Sequence, residues 1–201
     1  PIEHIEKQAE SPRESLRGVK DRIASVRVMN LDADSFLRDV HGKWDLIIAD
    51  FPDPSTPDLA KLYSLEMFSQ VAMRLDPGGI FVTQAGSPYA SRSAFWAIAS
   101  TMEAAGFHTL AIHTHVPTFG VWGWQIGSLD KTPSKQLQFP PQLRYMNDRQ
   151  LDITSVFPIT MARRIGDSRV STRLDPWVMR LYAAGEPLLG SAIFPGAGET
   201  R

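Results

Sequence analysis

The sequence predicts an α/β fold: a mostly parallel sheet that ends in an antiparallel hairpin. Three observations predict it. Strand-like and helix-like segments alternate from residue 26 to about residue 105, the pattern of βαβ units. The run Leu46-Ile47-Ile48-Ala49 stops abruptly on Asp50 and is followed by Pro52 and Pro54, as a short buried strand would be. Two further strand patterns, Thr109 to Val116 and Trp122 to Ser128, are separated only by Pro117 to Val121, a connection of hairpin length.

Each element has its own justification. Residues 1–22 read as one or two helical pieces, with Ser11-Pro12-Arg13-Glu14 fitting a capping box that carries proline at the first helical position. Val26 to Asn30 is a short strand candidate, residues 34–39 a brief helical turn, and Asp45 to Asp50 the next strand. Leu59 to Leu75 reads as one amphipathic helix, because Leu62, Leu65, Phe68, Val71, Ala72 and Leu75 recur mostly three and four apart. Asp76-Pro77-Gly78-Gly79 stops it, and Ile80 to Gln84 is a strand. Gly86-Ser87-Pro88 is a loop, and Arg92 to Ala105 is a second amphipathic helix closed by Gly106. Beyond the hairpin, residues 130–146 read as a proline-rich linker, 147–185 as short helices, and 190–201 as a loose tail. The organisation is thus a helical segment (1–22), an α/β core (23–129) and a C-terminal extension (130–201).

Composition narrows the function classes. The chain has 201 residues, 43% hydrophobic and 21% charged, which is ordinary for a globular protein. A net charge of -1 gives no electrostatic case for nucleic acid or an anionic membrane. There is no cysteine, so disulfides, thiolate catalysis and cysteine-based zinc sites are excluded. No apolar run reaches the ~20 residues that span a bilayer. The chain begins at Pro1 without a signal-peptide pattern, and a cytoplasmic location is expected.

In α/β sheets, ligands bind outside the carboxyl ends of the strands. Asp32, Asp50 and Gln84 each fall at or just after the end of an inferred strand, and the 117–121 hairpin opens on the same edge. Each also has a plainer reading. Asp50 and Asp53 alone would be taken as strand-end and turn residues, and Asp32 as an Asx-turn residue before a helix. Tyr63 and Trp122 would be taken as packing residues. His113 and His115 share one strand face but have no acidic third ligand nearby. Gly78-Gly79 precedes a strand, so it is a turn and not a phosphate cradle.

Together the segments resemble the polyamine aminopropyltransferases, the spermidine/spermine synthase family. The resemblance rests on Leu31-Asp32-Ala33, the run Asp45 to Pro54, Leu62-Tyr63-Ser64, the run Pro77 to Ala85, and Pro117 to Gly123, in that order and spacing. Phe51-Pro52-Asp53-Pro54 with Ala60 to Ser64 is most similar to bacterial members that carry an N-terminal membrane region. Phe157-Pro158 and Met161-Ala162-Arg163 resemble those members more weakly.

The resemblance implies a Rossmann-like, methyltransferase-type sheet. It implies aminopropyl transfer from decarboxylated S-adenosylmethionine, as co-substrate, to an amine such as putrescine, with no metallic cofactor. The alternatives are a methyltransferase-like enzyme and a non-catalytic interaction module. The resemblance makes Asp50 the proton-accepting acid, Asp53 a holder of the amine, Asp32 the partner of the adenine amino group, and Tyr63, Gln84 and Trp122 substrate-pocket residues. It implies a small-molecule polyamine partner, no nucleic acid, and a homodimer as the candidate assembly. The departures are equally specific. The family's glycine-rich loop, the acidic ribose-binding position and the N-terminal β-domain have no counterpart here, and Phe119 stands where tyrosine is common. The chain is therefore expected to be the second part of a family domain, weak in nucleotide binding by itself.

Overall fold

A computed structural model describes residues 26–133, 143 and 147–185. The expected helical pieces before residue 23 and the tail after residue 189 lie outside these residues, as does most of the 130–146 linker. The chain divides into two compact units, residues 1–39 and 40–201.

In the first unit, helix α1 (Ala33–Asp39) is capped by Asp32. Its Oδ1 accepts from the Ser35 backbone N–H at 3.0 Å, and its carbonyl from Phe36 N–H at 2.9 Å, satisfying donors a helix start leaves open. Val26 to Asn30 is not a strand. It is irregular backbone, and Val26 and Val28 are 65% and 53% exposed. A five-residue apolar pattern lacks strand character without a neighbour to pair its N–H and C=O groups.

The second unit holds β1 (Trp44–Ala49), α2 (Pro57–Ala60), a 3-10 turn (Lys61–Tyr63), α3 (Leu65–Met73), β2 (Leu75–Gln84), α4 (Arg92–Ala104), β3 (His108–Val116), β4 (Gly120–Ser128), α5 (Asp148–Thr154) and α6 (Trp177–Ala184). The sheet order is β1-β2-β4-β3. β1 and β2 are parallel, whereas β4 is antiparallel to both β2 and β3. The expected class and C-terminal hairpin are present. Among the described residues the parallel pair is β1 with β2.

The single helix expected over 59–75 is three pieces. Thr56 caps α2, accepting from Leu59 N–H at 3.4 Å, with Pro57 at the first position. Ser64 interrupts the pattern in an extended conformation (φ -92°, ψ 158°) and recaps the chain as α3, its Oγ accepting from Met67 N–H at 3.2 Å. β2 begins five residues early, at Leu75, with a register irregularity between Trp44 and Leu46 of β1.

α3 packs against β2, and α4 against β3 and β4. Phe81 stacks between Phe68 of α3 (centroids 5.8 Å) and Phe107 (5.6 Å), and Phe68 and Phe81 are fully buried, each worth ~1.5–3 kcal/mol. α4 packs against β4 where that strand presents Gly123 and Gly127. A Cβ at Gly127 would come within 2.8 Å of Met102 and Phe107, and one at Gly123 would strike Phe95. Only glycine permits this approach of helix to strand.

The C-terminal segment lies along α4. Trp96 Nε1 donates to Met161 O at 2.8 Å, Ser100 Oγ to Asp167 O at 2.8 Å, and Ser171 N–H to Thr101 Oγ1 at 3.0 Å. Arg92 and Asp167, both buried, form an ion pair. Asp167 Oδ2 also accepts from Arg164 N–H at 2.7 Å. Arg163 is bonded to Glu103 at 2.7 and 2.8 Å, which holds the Glu103 carboxyl below the usual carboxylate range. This segment carries α6 to the sheet edge where β1 ends.

Candidate active site

β1 and β2 run parallel and end side by side, with Ala49 opposite Thr83. The residues that follow β1 and the last residue of β2 therefore share one edge. A cleft of about 590 Å³ opens there, lined by Asp50, Asp53, Gln84, Phe119, Trp122 and Trp124 among others. β4 brings the tryptophans into place because Gln84 is paired with Trp124. The β3–β4 hairpin adds Phe119, 71% exposed, its ring 5.7 Å from that of Trp122.

Gln84 organises the floor. Its Oε1 accepts from Trp122 Nε1 at 3.1 Å and Gly86 N–H at 3.2 Å. Both of those groups are obligate donors, so the amide orientation is fixed by chemistry. Its Nε2 donates to Tyr63 Oη at 2.7 Å and to the Phe51 carbonyl, with Asp53 Oδ1 at 3.4 Å. Tyr63 Oη in turn faces the Phe51 and Pro52 carbonyls at 3.2 and 3.1 Å. Burial first, then the Asp53 charge, pushes the Tyr63 phenol up. It is therefore a neutral donor at neutral pH, and it holds the Phe51-Pro52 backbone from beneath.

The two carboxylates differ. Asp53 is half-buried, and its Oδ2 accepts from Tyr182 Oη of α6 at 2.8 Å. Asp50 is exposed and accepts no hydrogen bond from the described residues. One acid is held by a hydrogen bond; the other is open to solvent. Aromatic walls beside a pair of anions suit a ligand with ammonium ends and an apolar middle.

Four of the residues singled out from sequence, Asp50, Asp53, Gln84 and Trp122, come together in this cleft. Tyr63 does not line it: the side chain is fully buried, behind Gln84 and the acidic loop. Asp32 belongs to the first unit, where it caps α1. His113 is engaged elsewhere, with Nε2 2.9 Å from the Val156 carbonyl and its ring against Phe157. Among the described residues no group of three or more His, Asp or Glu side chains could hold a metal ion. No helix among them is long and apolar enough to cross a membrane. Sequence reasoning missed Tyr182. It lies 129 residues from its partner Asp53, in a short helix with no local motif to mark it.

Comparison with known proteins converges on one family. The spermine/spermidine synthase domain matches residues 11–139. The polyamine aminopropyltransferase 1 of Streptomyces coelicolor is 38% identical over 155 residues, covering 76% of this chain and 29% of that protein. The polyamine aminopropyltransferase of Mycobacterium tuberculosis is 41% identical over 156 residues, covering 75% and 28%. This chain thus spans less than a third of the length of these relatives. A spermidine synthase solved with the transition-state analogue AdoDATO superposes with a TM-score of 0.56 at 20% identity, over 77% of this chain and 55% of that one. That of Thermotoga maritima gives 0.51 at 17% identity. At those identities the structural likeness establishes the fold, a methyltransferase-like α/β domain.

Proposed function

We propose, from the premise that this chain belongs to the spermine/spermidine synthase domain family, that it carries the amine-activating part of a polyamine aminopropyltransferase. The observation that carries the proposal is the unequal pair of carboxylates: Asp53 held by hydrogen bonds, Asp50 exposed and bonded to none of the described residues, both at the carboxyl edge of the parallel strands.

The chemistry follows from the amine. An alkyl ammonium group has a pKa of roughly 10, near that of lysine, so at neutral pH its lone pair is occupied. Asp50 attracts the cation and takes one proton as the nitrogen attacks the methylene carbon bound to the sulfonium sulfur. A C–N bond forms, the C–S bond breaks, and the electron pair leaves with sulfur as a neutral thioether. Asp53 fixes the amine, and Trp122 and Phe119 flank its methylenes. Tyr63 and Gln84 act by holding the acidic loop. Alignment of nitrogen with carbon supplies much of the advantage. Asp32 is proposed to bond the adenine amino group of decarboxylated S-adenosylmethionine, and the acceptor is a diamine of the putrescine class.

The test is product formation by the protein in its full natural length, supplied with decarboxylated S-adenosylmethionine and putrescine and followed by mass spectrometry. Spermidine is the expected product. Methyl transfer from S-adenosylmethionine with no aminopropyl transfer would replace this reading with the methyltransferase one. No transfer of either group would leave a binding module.

A further inference from the structure

We propose that Tyr182, carried on the C-terminal helix α6, is a positioning residue for the amine site, acting through Asp53. The proposal rests on the amine-binding reading above and adds a residue from outside the matched family domain, which ends at residue 139.

Asp53 has two oxygens, and the protein uses them differently. Oδ2 accepts from Tyr182 Oη at 2.8 Å, a good length for a hydroxyl donating to a carboxylate. Among the described residues Oδ1 has only Gln84 Nε2, at 3.4 Å, which is long and leaves that oxygen available to an ammonium donor. Without the phenol, the carboxylate could rotate about its last bond and present either oxygen. With it, one oxygen is fixed and the other is aimed.

The helix holding Tyr182 is itself well anchored. Val178 is fully buried, and its N–H donates to Ser171 Oγ at 3.3 Å. Trp177 at the helix start is stacked beneath Arg169, 3.7 Å from the ring centroid. α6 packs against α4 and α2, so Tyr182 reaches Asp53 from a fixed base. The Tyr182 phenol is pushed up to about 12 by burial and by the Asp53 carboxylate, so it remains a donor throughout the range in which an amine could be deprotonated. Asp50 and Tyr63 also act electrostatically at this site; Asp50 is an acceptor, and the Tyr63 hydroxyl faces the Phe51 and Pro52 carbonyls.

The experiment is a double-mutant cycle on the intact protein, with 1,4-diaminobutane as probe. Tyr182→Phe should raise the KM for 1,4-diaminobutane about 10-fold, the loss expected for one hydrogen bond to a charged group, and leave kcat within about twofold. In an Asp53→Asn background, Tyr182→Phe should add nothing. Wild-type KM in Tyr182→Phe, or the same fold-loss in both backgrounds, would overturn the positioning role while leaving the amine reading intact. Absence of diamine binding by the wild type would overturn the amine reading itself. Should Tyr182→Phe not fold, carbon-13 titration of Tyr182 decides. Asp53→Asn should lower the phenol's midpoint, and an unmoved midpoint would refute the contact.

Discussion

Two acidic loops in this chain are built to opposite ends. In the C-terminal segment, Asp167 is buried beside Arg92 and accepts a backbone N–H from Arg164. Every interaction it makes is internal, and it ties residues 161–171 to α4. At the end of β1, Asp50 stands exposed and is bonded to none of the described residues. The first carboxylate stabilises the structure because its charge is matched within the protein. The second is suited to chemistry because it is not. Asp53 sits between the extremes, with one oxygen matched and one offered.

The sharpest way to break this comparison is to neutralise Asp50. Asp50→Asn keeps the shape but can neither attract an ammonium group nor accept its proton. Aminopropyl transfer by the full-length protein should fall by ~10²–10⁴-fold, the usual cost of losing a general base. The melting temperature should stay close to wild type, because no internal bond is lost. Near wild-type turnover would remove Asp50 from the role of base. Asp167→Ala should do the reverse. It strips Arg92 of its carboxylate inside the protein, a change that costs ~3–5 kcal/mol in other buried pairs, measurable by urea denaturation. If the comparison holds, the two variants exchange signatures: one loses rate, the other stability.

What could be seen in the sequence follows the same division. The strand before Asp50 was legible because a short apolar run bounded by prolines has few other readings. α4 was legible because its apolar spacing and its closing Gly106 agree. Strand order placed Asp50 and Gln84 at one sheet edge, together with Asp32, and the family resemblance added Asp53 and Trp122. The break at Ser64 was not legible, since apolar spacing continues through it. It is decided by the Ser64 hydroxyl capping Met67 and by Leu65 N–H bonding the distant Ser171 carbonyl at 2.8 Å. Val26 to Asn30 looked like a strand because periodicity reports side-chain character and not whether a partner exists. Tyr63 was assigned to the pocket surface, whereas the structure buries it beneath, bonded to Gln84. Tyr182 and the Arg92–Asp167 pair arise from long-range packing, which no local window contains.

A smaller effect separates the two regions at acid pH. The Arg163 guanidinium lowers the Glu103 carboxyl, so the folded state holds its proton less tightly than the unfolded chain. The stability this contributes is complete above the unfolded carboxyl's pKa of roughly 4.3 and is lost as pH falls through the folded value. Melting of the wild type should therefore drop on acidification below about pH 4.3 more than that of Glu103→Gln. The pair is half-exposed, so solvent screening keeps the difference modest. Equal acid sensitivity in the two proteins would show that this pair does not hold the segment to α4.

The smallest expected effect lies at the other end of the pH scale, and it belongs to the cleft. Burial and Asp53 raise the Tyr182 phenol to about 12, and burial raises Tyr63 further in the same direction. A raised folded pKa means that the folded state retains protons the unfolded chain has already released. The contribution of both phenols is therefore complete below pH ~10, the unfolded tyrosine value, and declines as pH rises from there through the folded values. The cleft should loosen in alkali while the Glu103–Arg163 contact stays intact. Tryptophan fluorescence can report it, since Trp122 is bonded to Gln84, which is bonded to Tyr63. A red shift above pH 10 that weakens in Tyr182→Phe is the expected outcome. An identical alkaline transition in wild type and Tyr182→Phe would mean that Tyr63 alone governs the alkaline limit, and that α6 contributes nothing to holding the acidic loop.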